Sequence, residues 1–239
     1  MPKVSIVLPT YNQARYLKKA ISSVLLQSFP DFELIIVNDG STDNTEQVIK
    51  NFNDKRIIYI KQKNQGEYKS TNKALRMIRG DYFTWIHSDD LWPKNNLKNR
   101  VEFLNKHRFY KVVHGDICLI DAYGRRKKIL RAKPWDNQKI LAYYCQNYYQ
   151  GILIKRPVVG IFHHTSLLMK KDVLKSVGFW DEKLPYAGDL DWMLRLLKKE
   201  PVIYLNKVVY YYRVYSKERH TNLPRRQIVL SILKRICKK

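Results

Sequence analysis

From Val4 to Asp121, strand-length apolar runs alternate with segments of helical periodicity, and no other feature of the sequence restricts the fold as much. Val4–Leu8 reads as a buried strand ending at Pro9. A helix follows, with Leu17, Ile21, Val24, Leu25 and Ser28 on one face and Asn12 as a candidate N-cap. Glu33–Val37, Arg56–Ile60, Tyr82–Ile86 and Lys111–Asp121 read as further strands, separated by helices at Thr42–Phe52, Glu67–Ile78 and Pro93–Lys106. This alternation predicts an α/β fold with a mostly parallel sheet and helices on both faces. Such sheets bind ligands in the crevice beyond the carboxyl ends of their strands. Polar residues that follow strands are therefore the first candidates for a site.

After residue 121 the pattern changes. Residues 122–125 read as a turn, 136–149 as a Tyr-rich helix and Thr165–Met169 as a strand. Asp172–Val177 and Asp189–Lys199 read as helices, Val202–Tyr215 as one or two strands, and 225–239 as a C-terminal helix.

Charge is the second constraint. The 239 residues carry a formal net charge of +24, which predicts attraction to polyanions. Residues 91–135 hold twelve Lys/Arg against three acids, and 205–239 hold ten against one, so the basic surface belongs to the later part of the chain. A nucleic-acid-binding module would use the same charge, but the sequence has no zinc pattern, helix-turn-helix signature or basic-aromatic recognition motif. In the segment 225–239, Val229, Ile232, Leu233 and Ile236 share one helical face, with Lys234, Arg235 and Lys238 opposite. That reads as a basic helix lying on an anionic membrane, with packing on the domain as the alternative. No apolar run reaches the ~20 residues of a membrane span, and the N-terminus lacks a signal-peptide pattern. Cys118, Cys145 and Cys237 form neither a disulfide framework nor a zinc motif, which predicts unpaired thiols in a reducing compartment.

Three polar clusters sit where a site is expected. In Val37–Asp43 a strand ends in Asp39-Gly40 and a capped helix begins, so Asp39 either caps locally or accepts a ligand N–H. In Trp85–Pro93 the adjacent carboxylates Asp89 and Asp90 repel each other unless a cation compensates, and hard oxygen ligands suit Mg²⁺ or Mn²⁺. In Tyr186–Trp192, Asp189 and Asp191 fall at a loop–helix junction, where either could favour the helix dipole or act as a general base. His87, the pair His163-His164, and His220 are weaker candidates for lining the pocket or touching a metal.

Taken together, these segments resemble a family 2 glycosyltransferase of the GT-A fold, from Val4 to about Tyr215. The similarity lies in Val4–Asn12, Val37–Thr45, Asn64-Gln65-Gly66 with Asn72-Lys73-Ala74, His87–Asp90, Gly178–Glu182 and Gly188–Leu196. The resemblance implies a glycosyltransferase domain over 1–215, its nucleotide-sugar half 1–121 and its acceptor and base half 122–215, followed by a basic tail over 216–239. It implies that Asp39 binds uracil with Pro9 and Tyr11 beside the base, that Asp90 is the metal ligand, that Asp89 contacts ribose or donor sugar, and that Asp189 is the catalytic base. Thr71 replaces a common Arg, leaving Lys69 as a substitute cation, and His220 is a further candidate at the metal or diphosphate. The implied cofactor is Mn²⁺ or Mg²⁺. The implied partners are a nucleotide-sugar donor, a glycan or lipid-linked acceptor and an anionic membrane surface, with no nucleic acid. The implied location is cytoplasmic, at the inner face of the plasma membrane. A non-catalytic relative of the family and a nucleotidyltransferase are the competing readings. The latter lacks its Gly-rich loop after the first strand.

Overall fold

The chain is described by a computed structural model over residues 1–132, 136–149, 164–214 and 225–237. Strands β1 (Val4–Thr10), β2 (Phe32–Asn38), β3 (Ile57–Lys61) and β4 (Tyr82–Trp85) alternate with helices α1 (Ala14–Leu25), α2 (Thr45–Lys50), α3 (Glu67–Leu75) and α4 (Asn96–Lys106). The later half contributes β5 (Val112–Ile120), β6 (Arg126–Leu130), α5 (Asn137–Tyr149), a 3₁₀ turn at His164–Ser166 and β7 (Leu168–Lys170). It ends with α6 (Val173–Val177), α7 (Gly188–Lys199), β8 (Val202–Arg213) and α8 (Arg225–Cys237).

All eight strands join one sheet in the order β3-β2-β1-β4-β7-β5-β6, with β8 pairing β5. The strands β3, β2, β1 and β4 run parallel. The apolar runs of β1, β2 and β4 are buried on both faces, as central parallel strands require, while the edge strand β3 is only partly buried. Leu17, Ile21 and Val24 of α1 pack with Ile6, Leu8 and Leu34 on one side of the sheet. On the other, Ala74 and Leu75 of α3 join Val7, Ile35, Trp85 and the Trp192–Leu197 face of α7. Helices thus cover both faces, as the alternation predicts.

The sheet is mainly parallel, as expected, but mixed beyond β4: β7 runs antiparallel to β4, β5 antiparallel to β7, and β6 antiparallel to β5, while β8 is parallel to β5. Two finer readings change. Strand β6 has no counterpart in the sequence pattern, because its Arg-Lys-Lys run lacks alternation and gains its place only by pairing with β5. Asn12 does not cap α1. It adopts φ 51, and its Oδ1 accepts the Thr42 amide (2.8 Å), tying the β1 and β2 ends together. The α1 amides are met instead by Asp43, which accepts from Ala14 N at 3.0 Å, and Thr45, which accepts from Gln13 N at 3.1 Å.

The C-terminal helix also departs from the membrane-lying reading. Ile232, Leu233 and Ile236 are buried in the core shared with α7 and α5, so the face a bilayer would receive is already covered by protein. The cysteine reading is corrected as well. Cys145 of α5 and Cys237 of α8 form a disulfide across 92 residues of sequence, and Cys118 is buried and free. Sequence spacing could not reveal that pairing, because it depends on α8 returning to α5.

Candidate active site

A cleft of about 490 Å³ opens at the carboxyl ends of β1, β2 and β4. Its walls are Pro9, Thr10 and Tyr11 after β1, Asp39 after β2, Gly66, Glu67 and Ser70 at the start of α3, and His87, Ser88 and Asp89 after β4. This is the crevice expected of such a sheet.

Asp39 is 3% exposed, and its carboxylate organises the loop between β3 and α3. Its Oδ1 accepts from Gln62 Nε2 (2.7 Å) and Gln65 N (2.9 Å), and its Oδ2 accepts from Gly66 N (2.8 Å). A carboxylate has about four lone-pair sites, so one remains for a ligand N–H. Gly40, at φ 75, lets that loop pass closely: a Cβ there would lie 2.7 Å from Asn64 N. Gln62 is a site residue that sequence reasoning missed, since nothing local marks it.

The acidic pair divides its work. Asp89 lines the cleft, whereas Asp90 is 1% exposed behind it. Asp90 Oδ1 accepts the Arg213 amide (2.7 Å), and Oδ2 accepts the Tyr210 hydroxyl (2.9 Å). Burial, then the charge of Asp89, pushes Asp90 up from 3.8 to about 7, outweighing His87 and the two hydrogen bonds. A cation would relieve that strain. Ligand atoms of His87, Asp89 and Asp90 lie within 4.8 Å of one another, and two carboxylates with an imidazole suit Mn²⁺ better than an all-oxygen ion. The donor set therefore fits a divalent metal.

His87 connects this pair to the far wall. Burial works to lower its pKa, but the charges of Glu67, Asp90, Asp89 and Asp189 carry it above its ordinary value. Burial, with the charge of His87, holds His164 well below the usual range. The two rings meet at 3.2 Å between their Nε2 atoms. His164 is buried in an aromatic cluster with Trp85 and Trp180, while His163 lies outside the described residues.

Asp189 and Asp191 separate clearly. Asp191 is fully buried and held by Arg195 (2.9 Å) and by Arg235 from α8. Asp189 is half-buried, and its charge reaches both His87 and Tyr68 of the cleft region. Its helix starts at a tight place. Gly188 N donates to the Tyr68 hydroxyl (2.9 Å), and a Cβ on Gly188 would meet the Tyr68 ring at 2.6 Å. The preceding Ala187 has φ 59, an uncommon conformation for a residue with a Cβ. Asn72 fixes the segment before α7: its Oδ1 accepts from Trp180 N (2.9 Å), and its Nδ2 donates to Trp180 O (2.9 Å) and Glu182 (2.8 Å).

One further candidate is not brought to the cleft. Lys69 is exposed on α3, and it is Ser70 and Glu67 of that helix that face the cleft wall. His220 lies outside the described residues.

Comparison with known proteins identifies the family and the fold. The description "Glycosyl transferase family 2" matches the chain over residues 5–178. The chain belongs to glycosyl transferase family 2. Within the family it is 32% identical over 218 residues to an uncharacterized glycosyltransferase of Rickettsia conorii, covering 90% of this chain and 34% of that protein. It is 32% identical over 227 residues to the glycosyltransferase GlyA of Streptococcus pneumoniae, covering 89% and 30%. The chain thus spans about a third of the length of these two relatives. Its fold is similar to S. aureus TarS 1–349 in complex with UDP-GlcNAc, with a TM-score of 0.70 at 23% identity over 92% of this chain and 61% of that one. It is also similar to the Pyrobaculum calidifontis mannosyltransferase PcManGT in complex with GDP-Man and Mn²⁺, with a TM-score of 0.69 at 20% identity over 100% and 65%. The GT-A expectation for the fold holds.

Proposed function

We propose that the chain transfers a sugar, with inversion, from a nucleotide-diphosphate sugar to a hydroxyl of a glycan or lipid-linked acceptor in cell-surface polysaccharide synthesis. The observation that carries this reading is the convergence of Asp89, Asp90 and His87 on one wall of a cleft whose other wall is ordered by Asp39. A uridine nucleotide suits the remaining acceptor site of Asp39, with Pro9 and Tyr11 beside the base. Asp90 and Asp89 would hold Mn²⁺ or Mg²⁺, which neutralises charge on the leaving diphosphate when bound. Asp89 also faces the donor sugar or ribose, and His220 is a further contact for the diphosphate or metal. Asp189 takes the proton of the acceptor hydroxyl as its oxygen attacks the anomeric carbon and the nucleotide diphosphate leaves. One displacement inverts the configuration. Work at an anionic membrane face would suit the net charge of +24.

The test is a thermal-shift screen of nucleotide sugars with and without Mn²⁺, followed by an assay of nucleotide release on adding acceptor. Metal-dependent stabilisation by a UDP-sugar is expected. Indifference to every nucleotide sugar tried would sink the reading.

A further inference from the structure

Arg213 ends β8 at 2% exposure, yet its guanidinium donates to main-chain carbonyls and not to carboxylates. Nε donates to Asp89 O at 2.5 Å, and Nη1 donates to Asp121 O at 2.8 Å and Ala122 O at 2.9 Å. Its backbone amide holds Asp90 Oδ1 at 2.7 Å, and the Tyr16 ring lies 4.8 Å from its centre. Nη2 is buried with no hydrogen-bond partner among the described residues. Desolvating a guanidinium without a direct counter-ion is costly. What it gains here is control of one short segment. A single residue grips Asp89 by its carbonyl and Asp90 by its carboxylate, and pins both to the turn between β5 and β6. The planar fork that makes three such bonds has no equivalent in lysine.

We propose that Arg213 is the positioning residue of the acidic pair, setting the separation and direction of the Asp89 and Asp90 carboxylates and hence their affinity for a divalent cation. The inference rests on the reading of that pair as a cation site. It concerns a residue that is not among those lining the cleft.

The test measures Mn²⁺ binding directly on the 239-residue chain, from the loss of the free-ion EPR signal, for wild type, Arg213→Lys, Arg213→Gln and Asp89→Ala. Both Arg213 variants should bind Mn²⁺ about 10–100-fold more weakly, the range typical for residues that orient metal ligands. Lysine, which keeps the charge, should not rescue binding. Turnover of Arg213→Lys should recover as Mn²⁺ is raised, a response that general damage to the fold would not give. Wild-type Mn²⁺ affinity in both Arg213 variants, with Asp89→Ala unable to bind, would overturn the role of Arg213 alone. Wild-type affinity in Asp89→Ala would overturn the cation site itself. If Arg213→Gln does not fold, Tyr16→Leu uncovers the guanidinium more gently. It should weaken Mn²⁺ binding in the same direction, and unchanged affinity there would count against the proposal.

Discussion

Asp189 and Asp191 share the first turn of α7, yet their surroundings assign them different work. Asp191 faces inward between Arg195 and Arg235, so its charge is already answered. Replacing it by Asn should cost about 1–3 kcal/mol of stability, because two guanidinium groups lose a buried partner. The proposed base Asp189 has no such duty. Asp189→Asn should leave the melting temperature and donor binding near wild type while lowering kcat about 10²–10⁴-fold. Chemical denaturation and steady-state kinetics on both variants check the pair, and the reverse pattern would exchange their roles. Asp90 adds a pH signature. Its pKa is raised from 3.8 to about 7, so the stability gained by keeping that proton is fully present below the ordinary carboxylate range and is lost as pH rises through 7. Mn²⁺ must displace the same proton, so metal binding should strengthen over this interval. The Mn²⁺-induced rise in melting temperature should therefore be larger at pH 8 than at pH 6. An equal rise at both would mean that Asp90 does not ligate.

At the scale of elements, α8 braces α7. Arg235 pairs with Asp191 and with Asp181, Lys198 of α7 donates to Ile236 O, and the disulfide Cys145–Cys237 ties α8 to α5. Cys145→Ser should lower stability by about 2–4 kcal/mol, the usual range for a disulfide closing a long loop, and a reducing agent should do the same to the wild type. Urea denaturation with and without reductant measures it. No change on reduction would mean that the apolar contacts of α8 suffice. The contrast between halves of the chain also explains what the sequence could reveal. The central parallel strands were legible because burial on both faces demands unbroken apolar runs such as Ile6–Leu8 and Leu34–Val37. Strand β6 is charged and carries no periodic signal, whereas the strand expected over Thr165–Met169 is found only from Leu168 to Lys170, its first residues forming the 3₁₀ turn. The positions of Asp39, Asp89 and Asp90 after strands and of Asp189 in the first turn of α7 were legible from the strand and helix pattern. Gln62, Tyr210 and Arg213 were not, because their roles arise only on folding: Arg213 meets Asp90 across 123 positions of sequence.

At the scale of the whole molecule, the net charge of +24 needs a surface on which to act. The apolar face of α8 is covered, and no helix among the described residues is long and apolar enough to cross a membrane. The described surface offers another contact. Arg125, Arg126, Lys127, Lys128 and Arg131 are all exposed along β6 and its turn, and the neighbouring ring of Tyr123 is 72% exposed. Among the described residues, only Asp121 (3.7 Å from Lys127) and Asp116 (3.8 Å from Arg131) oppose this charge with ion pairs. Arg213 joins the same turn to Asp89, so an anionic surface meeting the turn would lie beside the acidic wall of the cleft. A lipid-linked acceptor could then reach the site without leaving the bilayer plane. Each cation near an anionic bilayer contributes about 1 kcal/mol. Replacing Arg125, Arg126, Lys127 and Lys128 by Ser should therefore weaken sedimentation with phosphatidylglycerol vesicles by about 10²–10³-fold at low salt. Neutral phosphatidylcholine vesicles should bind neither protein, and added salt should erase the difference. If the fourfold variant still sediments like wild type, the basic hairpin is not the contact. Its cations would then serve only to keep an exposed edge strand from pairing with other chains.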